Sequence, residues 1–324
     1  MKNFIKEINN RGYKTIYFSS NDSKSWNALF YDTIDISFYF SYNQIGYELE
    51  KFKVNKEDCE AVFFYNPKGS FALKYYKKSD QIFIFPLRFQ TNFNLIEGNA
   101  ILKLYVKHLN RLEEDIIYHK LPFSNSIENI FKANFFRGNK LVQFIEMYID
   151  LNLSKEDLWK SIRSSYKSII NKDKVNRSVT QVTDEYEWKA CQELHFKVSG
   201  RRTRSNQTWK IQWKMIKDKS SVAFCVKDKG QIAGFSLFYL SKNIVTYAVG
   251  AYDRNLFKER PVSHILLWRA IEFFKSLEID YLFLGEEYLN MDLRDQKLAD
   301  INHFKKGFAN YYLNDCTIEY KSSK

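Results

Sequence analysis

Residues 222–251 read VAFCVKDKGQIAGFSLFYLSKNIVTYAVGA, and the way this stretch divides decides the fold. Val222–Val226 is an apolar run that stops at Lys227-Asp228-Lys229-Gly230, where Gly230 can take the positive φ of a tight turn. Ile232–Leu240 follows, and Lys242-Asn243 turns the chain into Ile244–Ala251. Three apolar runs of strand length joined by two turns predict a meander. A polar loop, Tyr252-Asp253-Arg254-Asn255 through Arg260-Pro261, then feeds a helix starting near Ser263. Pro261 brings a fixed φ to that start and Ser263 a capping oxygen. Ile265, Leu267, Trp268, Ile271 and Phe274 lie on more than one face of this helix, so it is expected to be covered on both sides. Tyr281–Leu284 reads as a short buried strand, and a short basic helix brings the chain to Phe308.

Outward from this stretch, 324 residues with 45% hydrophobic content suit one large or two small domains with a sizeable core. Four prolines and 11 glycines leave no flexible linker, so two tightly packed halves are expected, 1–150 and 151–324. Cys59, Cys191, Cys225 and Cys316 form no CxxC pair, which speaks against a zinc site or a disulfide framework and for a reducing compartment. No metal is expected. Met1-Lys2-Asn3-Phe4 opens no signal peptide, and no apolar run approaches the roughly 18 residues of a membrane span. A cytoplasmic protein without an integral membrane segment is expected.

The net charge is +12, part of which a generally Lys-rich composition explains. Two clusters stand above that background: residues 155–177 hold seven Lys/Arg against three acids, and residues 197–219 hold eight against one. Such local excess attracts anions, with nucleotide diphosphate, tRNA and anionic lipid headgroups as candidates.

The first half is also mixed α/β. Ile16–Phe18 is a candidate strand, and Trp26–Phe30 is helical or irregular. Ala61–Tyr65, Phe71–Tyr76 and Gln81–Leu87 make a second meander, turned at Asn66-Pro67-Lys68-Gly69 and Lys77-Lys78-Ser79-Asp80. The two meanders start 161 residues apart, half the chain, which suggests two similar halves. The apolar pieces Ile101–Val106 and Leu141–Ile149 have no assigned element. Leu153–Lys172 predicts one helix, with Ser154 as cap, Asp157 as its reciprocal partner, and Leu158, Ile162, Tyr166 and Ile169 facing a core. Lys160, Arg163 and Lys167 then share an exposed flank. A further helix is expected from Ser205 to Lys217, with Trp209, Trp213 and Ile216 along one side.

Four stretches together resemble the FemAB-like branch of the GNAT acyltransferase superfamily, whose best-known members are aminoacyltransferases that build peptidoglycan cross-bridges. They are Leu153–Trp159 with Ile162-Arg163, Gly200-Arg201-Arg202-Thr203-Arg204-Ser205, Tyr247–Arg254, and Ile301-Asn302-His303-Phe304-Lys305-Lys306-Gly307-Phe308. The likeness covers most of 150–310 and touches the first half only at Asp35 and Tyr39. It implies an α/β (α+β) protein of two GNAT-like halves, each with a mixed, mostly antiparallel sheet flanked by helices, and passage of an acyl or aminoacyl group to an amine in a cleft. It places Phe304 and Lys305 at the reaction centre, and one of Arg201, Arg202 and Arg204 on acceptor phosphate. The implied acceptor is an amino-sugar or glycan/peptidoglycan precursor of cell-surface polysaccharide, nucleotide- or lipid-linked. Peripheral association with the inner leaflet is compatible with such an acceptor.

Acyl transfer from an ester or thioester requires that the amine lose a proton, the oxyanion be held and the leaving group be protonated. Lys305 suits the developing charge or the leaving oxygen, and Phe304 can stack on a base or sugar. Asp253 and His264 are the candidate proton acceptors, His264 because its ordinary pKa is near neutral, although a lone histidine is more often a cap or core hydrogen-bonder. Asp253 and Arg254 can equally pair with each other or clamp the acceptor, beside Tyr252 of the same motif. Glu286 and Glu287 can bind an acceptor ammonium or be solvated. Arg201, Arg202, Thr203 and Arg204 offer bidentate donors for phosphate. CoA-dependent relatives cradle pyrophosphate on a glycine-bearing turn before the central helix, yet Asn255–Ser263 contains no glycine; side chains such as Lys258 and Arg260 can substitute, but the backbone nest is missing. No bound cofactor is expected. Aminoacyl-tRNA or a carrier-bound acyl group is favoured as donor over acyl-CoA. A CoA-dependent N-acetyltransferase of a nucleotide-linked amino sugar is the alternative, and a non-catalytic RNA- or membrane-binding protein is the alternative of another class.

Overall fold

A computed structural model describes residues 1–30, 40–79, 81–85, 87–90, 93–112, 115–118, 140–256, 261–289 and 296–320. The chain divides into two units, Met1–Gln143 with Asp315–Lys324, and Phe144–Asn314. In the first, α1 (Lys2–Asn10) and β1 (Lys14–Tyr17) precede α2 (Ser23–Ala28) and α3 (Tyr42–Phe52). The expected meander follows as β2 (Cys59–Asn66), β3 (Gly69–Lys78) and β4 (Gln81–Ile84), the last shorter than the sequence suggested. A two-residue strand β5 (Arg88–Phe89) pairs with β3, α4 (Leu95–Leu109) crosses over, and β6 (Asp115–Tyr118) returns parallel to β4. The unassigned run Ile101–Val106 belongs to α4, whose N-cap Asn94 accepts from the N–H groups of Ile96 and Glu97. Phe4 and Ile8 of α1 and Leu102 and Tyr105 of α4 bury one face of the sheet against Phe64, Phe71 and Ile84.

β7 (Lys140–Asp150), which belongs to the second unit from Phe144 on, leads into α5 (Lys155–Ser161) and α6 (Ser164–Asn176). The single helix expected over 153–172 is therefore two. Ser154 does cap it, its hydroxyl accepting from the Asp157 N–H at 3.1 Å and donating to the Asp157 carboxylate at 2.8 Å. Ile162 then turns extended, φ −67° and ψ 140°, and the Arg163 N–H donates to the Gly307 carbonyl at 2.9 Å. The break shifts the helical phase, so that Ile170 is buried where Ile169 was expected.

Next come β8 (Val179–Gln181), α7 (Glu185–Ser199), α8 (Asn206–Lys217), and the second meander, β9 (Ser221–Asp228), β10 (Gln231–Leu240) and β11 (Ile244–Tyr252). Gly230 takes φ +80° in the first turn, as expected. Then α9 (Ser263–Ser276) crosses to β12 (Tyr281–Tyr288), and α10 (Gln296–Lys306) leads to β13 (Tyr311–Tyr320). The strand order is β7-β12-β11-β10-β9-β8, with β11 and β12 parallel. One face of this sheet is filled by α9, itself covered by Leu158, Ile162, Tyr166 and Ile170 of the α5–α6 segment. On α7 and α8, Trp188 and Trp209 lie 6.1 and 6.3 Å from Phe235 of β10. Ser263 opens α9 rather than capping it, and among the described residues no side chain caps that end.

The two units share one chain order: a three-strand antiparallel meander, a crossing helix, and a strand parallel to the meander's last member. The division at 150 expected from the sequence falls at the end of β7, and β7 pairs with β12 along Phe144–Asp150. The chain's last strand pairs back with β6 at Glu319↔Ile117, so the C-terminal residues join the first unit. Among the described residues no helix is long and apolar enough to cross a membrane.

Candidate active site in the second unit

β11 and β12 pair at Ile244↔Tyr281, Val245↔Leu282 and Thr246↔Phe283 and then part, although β11 runs on to Tyr252 and β12 to Tyr288. The cause is local. Between Leu237↔Val249 and Phe238↔Tyr247, β11 carries Ala248 as an extra residue; between Phe283↔Tyr148 and Gly285↔Met147, β12 carries Leu284. Both bulges lie just past the last β11–β12 pair, and a bulge bends its strand and increases local twist. Two such bends on neighbouring strands open the sheet into a notch.

Lys305, near the end of α10, reaches one wall of this notch. Its Nζ lies over Gly285, so close that a β-carbon on Gly285 would stand 2.5 Å from it. Burial lowers the Lys305 pKa below its ordinary value, and the neighbouring Glu286 carboxylate pulls it partly back. Gly285 takes φ +117°, a conformation glycine alone adopts easily, and here it also vacates the space the ammonium uses. Glu286 is half-buried, opposite Glu146 in the register with β7, and it raises the Tyr288 pKa together with burial, the larger cause. Glu287 pairs with Lys306 at 2.5 Å.

Two anchors fix α10. Arg163 donates to the Tyr166 hydroxyl at 3.0 Å and lies 2.6 Å from His303 Nε2. The Tyr166 ring lies over Gly307, where a β-carbon would come within 2.0 Å of it. Arg163 thus leaves the exposed flank expected for it and ties the break between α5 and α6 to the end of α10. Phe304 and His264 sit together against the same tyrosine: the His264 ring is 4.3 Å from Tyr166 and 5.2 Å from Phe304, centroid to centroid. Burial pushes the His264 pKa down to about 4, a hydrogen bond to the Pro261 backbone opposes this, and Arg163 adds to it. His264 is therefore a neutral imidazole packed among rings, with Ser263 Oγ 3.4 Å from its Nδ1.

Across the notch, the Tyr252 hydroxyl lies 2.7 Å from Ser236 Oγ and 2.8 Å from the Tyr247 hydroxyl. Asp253 pairs with Lys197 of α7 at 2.8 Å rather than with Arg254, which is exposed. Its pKa is lowered, first by Lys197 and then by the Asn255 N–H, so it holds a proton less readily than an ordinary carboxyl.

Arg201, Arg202 and Thr203 are exposed in the α7–α8 loop, Arg202 with its guanidinium 5.4 Å from the Phe196 ring. Arg204 is turned inward, 5.8 Å from the Trp209 ring, and Trp209 lies 5.2 Å from His195. Burial, then Arg204, then Lys297 of α10 push the His195 pKa down to about 4. Arg204 Nη1, Trp209 Nε1 and His195 Nδ1 are all buried without a hydrogen-bond partner among the described residues. Sequence reasoning missed His195 and Lys297. The signal available was the basic run 197–219, which contains Trp209 as well as Arg204. Lys297 and Lys305 are eight residues apart on α10, which separates them by roughly 12 Å along its axis. Asp35, Tyr39, Lys258 and Arg260 lie outside the described residues.

Neither a family model nor a curated protein matches the sequence. Solved structures do resemble it. FemX superposes with a TM-score of 0.66 at 10% identity, over 95% of this chain and 97% of that one. L-PGS from Bacillus licheniformis gives 0.61 at 11% identity, over 94% and 93%. A chain named as the C-terminal domain of a putative lysylphosphatidylglycerol synthetase from Agrobacterium fabrum gives 0.50 at 12%, over 77% and 80%. At these identities the likeness is one of fold. The expected architecture is met: along nearly its whole length the chain has the two-unit, GNAT-like mixed α/β fold of FemX.

Proposed function

We propose that this protein is an N-acyltransferase that moves an aminoacyl or acyl group onto an amine, with the reaction at the notch between β11 and β12 and Lys305 as its catalytic residue. The observation that carries this reading is the Lys305 ammonium turned inward over Gly285, at a wall of the notch, beside the Glu286 carboxylate. In the reaction the acceptor nitrogen attacks the carbonyl carbon, the C–N bond forms and the C–O or C–S bond to the donor breaks. Lys305 donates to the developing oxyanion and passes a proton to the leaving group, and the proton shed by the acceptor nitrogen restores its ammonium. A lysine held below its ordinary pKa gives up that proton more readily. Glu286 attracts the acceptor ammonium, which loses its first proton to bulk water before it attacks as the neutral amine. His264, neutral and enclosed, acts through Phe304 and Tyr166 as a positioning residue, and Asp253, ionised by Lys197, clamps rather than removes a proton.

The acceptor is read as a phosphate-bearing amine, an amino-sugar nucleotide or lipid-linked glycan precursor of the cell surface. Arg204, beside Trp209 and His195, and Lys297 at the start of the helix that carries Lys305 supply positive charge for such a phosphate, and the nitrogen atoms of Arg204, Trp209 and His195 that have no partner among the described residues would have to be uncovered to bind it. Arg201, Arg202, Thr203, Arg254 and Tyr252 complete the proposed acceptor surface. Aminoacyl-tRNA or a carrier-bound acyl group is the favoured donor, since the segment before α9 lacks the glycines of a pyrophosphate cradle.

The test is transfer by purified protein to a panel of amino-sugar nucleotides, with charged tRNA and acyl-CoA as alternative donors. Lys305→Ala should lower turnover by about 10²-fold or more while its melting curve stays that of the parent protein. Unaltered turnover in that variant would remove Lys305 from the chemistry. Micromolar binding of acetyl-CoA would move the donor to the CoA class.

A further inference from the structure

Among the described residues most of the exposed large apolar side chains stand singly, which is ordinary for a protein surface. One end of the first unit departs from that pattern. Leu95 and Ile96, adjacent at the start of α4, are 54% and 83% exposed, and Tyr65 at the end of β2 is 37% exposed. Neither of the α4 residues is a fraying end. The Asn94 side chain accepts from the Ile96 and Glu97 N–H groups at 2.9 and 3.1 Å, so the first turn is fixed with both side chains outward.

Two further segments bring basic residues to the same end. The hairpin between β2 and β3 turns at Pro67-Lys68, where the Lys68 N–H donates to Asn66 Oδ1 at 2.8 Å and both turn residues are exposed. Lys14 opens β1 directly opposite Tyr65. Phe93, two residues before Leu95, packs on Gly69 at the foot of the hairpin, where a β-carbon would meet its ring at 2.8 Å. The Tyr13 hydroxyl, close to Asn66, Glu97 and Arg11, joins the α1–β1 turn to the other two. Arg11, Lys14 and Lys68 are all exposed, and the one acid among these segments, Glu97, is half-buried beside Tyr13.

We infer that this end of the first unit docks on an anionic lipid bilayer, with Leu95 and Ile96 entering the interface and Arg11, Lys14 and Lys68 lying on the headgroups. The shape and charge favour a bilayer over a protein partner. Two protruding aliphatic residues form a tip rather than a groove, cations surround it, and the whole chain carries +12. Apolar insertion and headgroup attraction each give weak binding, and the two together give usable anchoring. The inference does not depend on the acyl-transfer reading.

Co-sedimentation of the full chain with vesicles tests it, comparing phosphatidylcholine alone with phosphatidylcholine plus phosphatidylglycerol. Binding is expected only to the anionic vesicles and should weaken as salt is added. Leu95→Ser with Ile96→Ser, and separately Lys14→Glu with Lys68→Glu, should each lower the partition roughly tenfold or more without moving the melting temperature. Absence of binding to anionic vesicles, or parental binding by both variants, overturns the inference. So does a concentration-dependent dimer in the parent protein that the Leu95/Ile96 variant abolishes, which would assign the tip to a second copy of the chain.

Discussion

The ammonium nitrogen of Lys305 occupies the space that a β-carbon on Gly285 would need, 2.5 Å away. Gly285→Ala therefore has two costs, a strained backbone at φ +117° and a displaced lysine. Strain of this kind costs about 1–3 kcal/mol. A displacement of the order of 1 Å at a reacting group costs about 10²-fold in rate. Gly285→Ala should thus approach Lys305→Ala in turnover while also melting earlier. A Gly285→Ala enzyme with parental turnover would show that Lys305 does its work from another position.

His264 supplies a pH dependence. Its pKa is pushed down from 6.5 to about 4 in the folded chain by burial, with Arg163 adding to the effect. Between these values the unfolded chain binds more protons than the folded one, so stability rises with pH and is lost as pH falls from 6.5 towards 4. The full effect is about 3 kcal/mol. His195 has the same direction, with burial first and then Arg204 and Lys297 as causes, so it contributes the same sign of slope. Replacing His264 by Phe, which keeps a ring among Tyr166, Phe304 and Phe308, should remove about half of the acid-labile stability that the two histidines supply. Urea melts of both proteins across this range check it, and parallel slopes would refute the assignment.

The features that could be read from the chain beforehand are those settled within a few residues. The meander runs Val222–Val226, Ile232–Leu240 and Ile244–Ala251 are apolar, of strand length and bounded by turn-forming residues, and they became β9, β10 and β11 almost as read. The features that could not be read are decided by partners far away in sequence. Ile162-Arg163 is compatible with helix, and what breaks it is the Gly307 carbonyl, 144 residues beyond Arg163, which takes the Arg163 N–H. His195, Arg204, Trp209 and Lys297 come from three helices and a loop, and singly each resembles a core ring or a solvated charge. Among the candidate site residues, Lys305 and Glu286 are brought together, and so are His264 and Phe304. Asp253 instead takes Lys197 as its partner, which no local pattern indicated.

Tyr166 and Gly307 form the joint that aims α10. A β-carbon on Gly307 would lie 2.0 Å from the Tyr166 ring, so Gly307→Ala overpacks a site at which the ring cannot retreat. Overpacking costs typically ~1–3 kcal/mol, and Tyr166→Leu alone loses ring contacts with His264 and Phe308. The double variant should be more stable than the sum of the singles by at least ~1 kcal/mol, since removing the ring at position 166 frees the space that a methyl group at position 307 needs. Additive effects in a double-mutant cycle would mean that the two residues do not press on each other.

The first unit holds a buried ion pair whose energetics are separable from the site. Lys74 and Glu48 are 2.6 Å apart, with side chains 0% and 7% exposed. The Glu48 carboxylate also accepts from Gln44 Nε2 at 2.9 Å and from the Tyr76 hydroxyl, while the Lys74 nitrogen lies 3.9 Å from the Phe85 ring centroid. Desolvating two charges offsets most of their attraction, so the pair as a whole adds little net stability, but removing one member leaves the other's charge without its counter-ion. Lys74→Met alone should cost about 3–5 kcal/mol in urea unfolding. Lys74→Met with Glu48→Leu should recover much of that, because the aromatic walls of Phe40, Tyr76 and Phe85 accept an apolar side chain. A double variant as unstable as Lys74→Met would show that Glu48 is held by its Gln44 and Tyr76 hydrogen bonds rather than by the lysine.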